Sequence, residues 1–234
     1  MTPTALGRRV YLLTDEPGSA GMAEQQAQRR RQATASGGTA RGSARGRLLA
    51  AAAECFYAYG VNGTGIDAIT AAAGVAKMSL YNNFASKDDL VLAYLQARHQ
   101  EWLDLYRRRL ATATDARAGI VAVFDAYIDH AEMAYQHGFR GCGLLNAAAE
   151  LPAGAPGRAV VRRHKEDVEA LLAAHIAGLG TVAPERVAPL AEQLSFMVEG
   201  AVARAGLEGT AELLHHARNL ALQVVDASTD TPVR

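Results

Sequence analysis

From Arg45 onward the apolar residues of this chain recur at helical spacing. Leu49, Ala52, Ala53, Phe56 and Tyr57 fall at i, i+3, i+4, i+7 and i+8, which predicts a helix with one buried stripe. Gly60 is placed to end it. Thr64-Gly-Ile-Asp67 reads as a capping box that opens a second, short helix with Ile66, Ile69 and Ala73 inward. Gly74 stops that helix, because glycine enters the left-handed conformation at least steric cost. Leu80 and Phe84, at i and i+4, form the inner face of a third short helix. Ser86-Lys-Asp-Asp89 is another capping box and opens a long helix through about residue 110.

Five further helices are predicted over residues 117–226. Ile120, Val123, Phe124, Tyr127, Ile128, Ala131 and Tyr135 mark the first. The stretch GFRGCGLLNAAAEL (138–151) supplies a short second one, and Pro152 to Gly157 a loop. The others run from about Ala159 to Ala177, from about Pro184 and from about Thr210. In the fourth, Val187, Leu190, Ala191, Leu194, Val198, Ala201, Val202 and Ala205 trace a broad face rich in small side chains. In the last, Leu213, Ala217, Leu220, Ala221 and Val224 align. Two such helices from each of two chains can close a four-helix bundle about a two-fold axis, so Leu194, Val198, Ala201, Leu213, Ala217, Leu220, Ala221 and Val224 are the expected homodimer interface.

Composition agrees with a helical protein. Half of the 234 residues are apolar, 21% are charged, alanine is frequent and β-branched runs are scarce. No apolar run reaches the roughly 18–20 residues of a membrane span, and no signal-peptide order opens the chain, so a cytoplasmic location without membrane contact is expected. Cys55 and Cys142, the only cysteines, cannot make a disulfide framework. The net charge of zero conceals an asymmetry: ten Lys/Arg against five Asp/Glu through residue 87, and 14 against 19 beyond it. A basic N-terminal part on an acidic remainder suits a nucleic-acid-binding end attached to a non-binding body.

Residues 1–40 are polar, Gly/Ser-rich and punctuated by arginines, and read as a disordered extension. Arg29, Arg30 and Arg31 could form a minor-groove arm, and Met22 is an alternative start. Residues 41–87 then read as a DNA-binding domain, 88–226 as a helical body, and 227–234 as a disordered tail. Two short helices joined by a glycine-containing turn make a helix-turn-helix, whose second helix enters the major groove.

The run from Arg47 through Leu90 resembles the DNA-binding domain of TetR-type transcriptional regulators. Phe56, Gly60, Thr64, Ile66, Ile69, Ala73-Gly74-Val75, Leu80-Tyr81, Phe84, Ser86-Lys87 and Leu90 carry the match. Asn83 stands where the family usually has histidine, and Met78-Ser79 where it commonly has Gly-Thr, so no operator sequence carries over. The resemblance implies that Thr64, Tyr81, Asn83 and Lys87 position the protein on phosphates. Lys77, Met78, Ser79 and Asn82 are the base-reading candidates, since lysine can donate to guanine, asparagine can pair with adenine and methionine can touch a thymine methyl. Residues 138–151 also resemble a stretch of some of the family's C-terminal domains.

In such regulators a body like residues 88–226 is a ligand-binding and dimerisation domain and holds a small-molecule pocket. Here Phe124, Tyr127, Cys142, Leu145, Asn146, His164, Val168 and Leu171 would line it, apolar walls with a few polar points for a largely apolar effector. No HExxH, GxSxG or Walker-type glycine loop is present, and no cofactor, metal or catalytic residue is expected. His215 and His216, adjacent on a helix, point in different directions. The reading is an all-α repressor that binds double-stranded operator DNA as a homodimer and is released by a ligand. The rival is an all-helical ligand-binding protein or enzyme whose helix-turn-helix has lost DNA, which a mobility-shift assay would separate.

Overall fold

The structure, a computed structural model, describes residues 42–133, 135 and 137–229. The arginine arm and both candidate start codons lie outside them. The described residues form nine α-helices and no strand. They are α1 (Ala44–Tyr59), α2 (Ile66–Ala73), α3 (Lys77–Asn83), α4 (Lys87–Leu110), α5 (Ala116–Ala131), α6 (Gly143–Ala149), α7 (Pro156–Gly178), α8 (Pro184–Glu208) and α9 (Glu212–Thr229). The final helix thus runs three residues past its predicted end.

Helices α1, α2 and α3 pack on one another around Leu48, Ile69, Leu80 and Phe84, each fully or nearly fully buried. Side chains of this size contribute about 1.5–3 kcal/mol apiece when removed from water. Gly74, at φ +62°, turns the chain from α2 into α3, a conformation that L side chains rarely adopt. Ser86 caps α4 by accepting from the Asp89 N–H at 3.1 Å, and the Asp89 carboxylate reaches back to the Ala85 N–H at 3.2 Å. The hydroxyl half of the expected capping box is present, and the carboxylate takes the N–H one residue before the cap.

The other capping box is absent. Gly65 is the N-cap of α2 and no side chain caps that end. Thr64 is 2% exposed, and its hydroxyl donates to the carbonyls of Gly60 (2.6 Å) and Cys55 (3.1 Å). These bonds hold the side chain against the end of α1, away from the start of α2. Asp67 instead pairs with Lys77 at 2.8 Å, tying α2 to α3.

In the body, α4, α5 and α7 pack together, α7 packs on α8, and α8 on α9. The inward face of α9 is Leu214, Ala217, Ala221, Val225 and Ser228. On α8 it includes Leu194, Val198, Ala201 and Ala205. Leu194, Val198, Ala201, Ala217 and Ala221 are therefore core of their own chain, with Leu194, Val198 and Ala221 at 0% exposure. Both helices carry apolar residues on more than one side, so periodicity alone does not say which side faces in. Of the other three expected interface residues, Leu220 is 39% exposed and available, whereas Leu213 and Val224 are partly buried against the same core.

Candidate functional site

Helix α3 presents Lys77, Met78, Tyr81 and Asn82 outward; Met78 is 69% and Tyr81 49% exposed. Large apolar groups left in water on one helix face need a partner to cover them. Ser79 and Asn83 are half-buried, and the Asn83 amide donates to the Ser79 carbonyl at 2.7 Å. The ion pair to Asp67 raises the Lys77 pKa and holds the ammonium at the start of α3. The Lys87 ammonium donates to the Val61 carbonyl at 2.6 Å, so it supports the α1–α2 turn. Its loss would therefore register in folding as well as in phosphate binding.

The segment from Phe139 to Glu150 holds the C-terminal end of α1. Glu150 accepts from the backbone N–H groups of Val61 (2.9 Å) and Asn62 (2.7 Å). The Arg140 N–H donates to the Tyr57 hydroxyl at 2.6 Å, which donates in turn to the Gly141 carbonyl at 3.2 Å. The Arg140 guanidinium donates to the carbonyls of Tyr57 (3.0 Å) and Ala58, satisfying acceptors that the helix end leaves open. Close approach is a condition here: a Cβ on Gly206 of α8 would sit 2.4 Å from the Gly141 nitrogen.

The same segment walls a cavity of about 520 Å³ with Phe139, Cys142, Gly143 and Leu144. Tyr57, Tyr94, Trp102, Tyr127 and Tyr135 supply aromatic wall, and Arg98, His130 and His164 polar points. Size and lining suit a small-molecule site. Of the predicted pocket residues, Tyr127, Cys142 and His164 line it. The wall does not include Phe124, Val168 or Leu171; Phe124 and Val168 are packed in the core. Leu145 and Asn146 face outward on α6, and the Asn146 amide donates to the Arg140 carbonyl at 2.9 Å, bracing the loop.

Both buried imidazoles on the wall stay neutral. Burial, aided by the charge of Arg98, lowers His130 to about 4. Burial, aided by Lys165, lowers His164 to about 2. His164 Nδ1 lies 3.0 Å from Nδ1 of His99, where only one of the two rings can carry the proton. Because both folded-state pKa values are depressed, the unfolded chain binds more protons below pH 6.5, and stability falls as pH drops. From pH 7 to pH 5 the two rings cost about 4 kcal/mol together. Urea midpoints at the two pH values should show that drop, and a His130→Gln, His164→Gln double variant should remove most of it.

Comparison with known proteins meets this geometry. A family model described as bacterial regulatory proteins, tetR family, matches residues 48–94, which hold α1 to α3 and the start of α4. A solved putative TetR transcriptional regulator from Streptomyces avermitilis is 32% identical, covers 80% of this chain and 98% of its own, and superposes with a TM-score of 0.66. The chain belongs to the TetR family. A TetR-family regulator from Streptomyces coelicolor is 29% identical over 80% of this chain and 96% of its own, at a TM-score of 0.71. Among curated proteins, the HTH-type transcriptional activator FasR of Mycolicibacterium smegmatis is 38% identical over 112 residues. That match takes in 45% of this chain and about half of the relative's length.

In this TetR-family chain, sequence reasoning missed Arg98, Trp102 and His130 as cavity residues and Arg140 and Glu150 as anchors. Arg98 and Trp102 sit four apart on one face of α4, a spacing that does not by itself separate cavity wall from helix surface. For Glu150, whose partners are backbone groups 88 and 89 residues away, the sequence carries no signal.

Proposed function

We propose that this protein is a cytoplasmic DNA-binding regulator that grips operator DNA as a homodimer through α3 and responds to a small molecule in the cavity. The uncovered outer face of α3 carries the reading. Its occupant must match exposed methionine, tyrosine, asparagine and lysine on one short helix, and a major groove does. Phosphate positioning then falls to Tyr81, Lys87 and the N-terminal end of α4. Thr64, with its proton committed inside the head, drops out of the positioning set.

Selection from a random DNA pool tests the base-reading part. The Asn82→Ala variant should recover a motif relaxed at particular base pairs, at a cost of about 1–3 kcal/mol against the preferred site. An unchanged motif would mean that Asn82 reads no base.

The response to ligand follows from the shared segment. Phe139, Cys142, Gly143 and Leu144 touch the cavity, while Arg140 and Glu150, in the same stretch, hold the end of α1 and the turn after it. A ligand that moves this segment reorients the head, and only a ligand with different affinities for the two arrangements shifts DNA binding. We read the outcome as release of a repressor. A promoter-reporter assay with and without the regulator gives the sign, and expression that falls on its deletion would make it an activator.

Among the described residues no helix is long and apolar enough to cross a membrane. The dimer surface is the outward side of α8 and α9, where Phe196 is 66%, Leu207 88% and Leu220 39% exposed.

A further inference from the structure

Polar atoms that lack a partner are concentrated around the cavity. Among the described residues, five buried side-chain atoms lack a hydrogen bond. Glu101 Oε2 and Glu199 Oε2 belong to carboxylates paired with Arg98 and Lys165. The others are Arg98 Nε, Trp102 Nε1 and His130 Nδ1, whose three side chains line the cavity wall. Buried polar groups of folded proteins are nearly always paired, so a cluster of exceptions at one cavity asks for an occupant. Arg98 Nε and Trp102 Nε1 can only donate. The Tyr135 hydroxyl donates to the His130 carbonyl at 3.1 Å and lies 3.1 Å from His130 Nε2. His130 Nδ1 accepts when Nε2 carries the ring proton, and donates when the Tyr135 hydroxyl points its proton at Nε2 instead. The wall therefore offers two fixed donors and a ring nitrogen of either polarity, which a hydroxyl group, able both to accept and to donate, answers.

The charge around the cavity is already matched. The Arg98 guanidinium pairs with Glu101 at 2.7 Å. Behind Tyr127 the Lys165 ammonium pairs with Glu199 at 2.7 Å. His130 and His164 are uncharged at neutral pH. Glu54, the remaining charged residue of the lining, is exposed to solvent. An ionised ligand would leave water without gaining a free counter-charge, a loss that a buried site does not return. The walls carry flat rings: Tyr57 and Tyr135 stack at 4.4 Å between centroids, and Trp102 and Tyr127 lie 5.2 Å apart at a tilt of 52°.

We infer that the cavity takes an uncharged, flat aromatic molecule bearing a hydroxyl group. This rests on reading the cavity as the effector site, and it adds the chemical class. Four probes with one ring system separate the possibilities: 2-naphthol, naphthalene, 2-naphthoate and the cationic 2-naphthylmethylamine. Calorimetry gives the affinities, and the fluorescence of Trp102, the chain's single tryptophan, reports occupancy of this cavity.

Naphthol should bind about tenfold more tightly than naphthalene, the worth of about one satisfied hydrogen bond, and at least tenfold more tightly than either ion. Trp102→Phe, which keeps a ring and removes the orphaned donor, should shrink the naphthol-to-naphthalene ratio severalfold. Equal or tighter binding of naphthoate or the ammonium overturns the uncharged assignment, equal binding of naphthalene overturns the hydroxyl, and no binding by any probe overturns the class. Failure of the regulator reading looks different: naphthol then binds and quenches Trp102 while DNA affinity does not change.

Discussion

Glu150→Ala should lower the melting temperature by about 4–8 °C and weaken DNA binding about tenfold. The side chain sits at the end of α6 and never reaches DNA-facing α3, yet its two carboxylate oxygens hold the N–H groups of Val61 and Asn62 in the turn between α1 and α2. Hydrogen bonds to a charged acceptor are worth about 1.5–3 kcal/mol each when dry. Asn62 is exposed and water replaces part of the loss, which leaves about 2 kcal/mol and the stated shift for a body of this size. The DNA effect has another origin. Without the anchor the head samples further orientations, and affinity falls with the populated fraction of the competent one. Amide hydrogen exchange should show Val61 and Asn62 opening faster. Glu150→Gln, which keeps one acceptor oxygen, should fall between. A lower melting temperature with unchanged DNA affinity would reduce Glu150 to a structural brace.

Phe196→Glu combined with Leu207→Glu should give a folded monomer whose operator affinity drops by about 10²–10⁴, towards that of a single half-site. Both residues stand in water in the isolated chain, so the change removes nothing from the chain's own packing, and the helical circular-dichroism signal should persist. At a two-fold contact each carboxylate would meet its symmetry mate without solvent, which neither can tolerate charged. Light scattering reads the outcome, and a variant that stays dimeric places the interface elsewhere. Ala221→Glu does not serve this purpose. At 0% exposure it would bury a carboxylate between α9 and the body and unfold the chain whatever the interface.

Local chemistry explains what was legible. Gly60, Gly74 and Ser86 end or open helices through their own backbone or hydroxyl, so α1 to α4 could be placed from sequence. The same holds for the outward set on α3, because Leu80 and Phe84 define its inner side within one turn. Leu214 against Leu213 was not legible: α9 has leucines on two adjacent faces, and tertiary packing alone decides between them. Thr64 was misread because its hydroxyl had two open carbonyls within reach and chose those over the cap. Tyr135 was placed on α5 by spacing, but that helix stops at Ala131, and its ring comes to stack on Tyr57 from the loop beyond. The cavity was half-read for a related reason. Tyr127, Cys142 and His164 stand in segments whose periodicity marks the interior of the body, whereas Arg98 and Trp102 sit on α4, where their spacing looks like ordinary helix surface until α5 and α7 close over it.

The central claim is that α3 reads DNA. Fluorescence anisotropy with a labelled fragment from upstream of the protein's own gene, titrated at several salt concentrations, tests it most directly. Wild-type protein should bind that fragment far more tightly than a shuffled sequence, with affinity falling steeply as salt rises. A Met78→Ala, Asn82→Ala variant, altered only at exposed base-reading candidates and with an unchanged melting temperature, should lose the difference between the two DNAs. Equal binding of both fragments by the wild type, or full discrimination by the variant, would contradict the account.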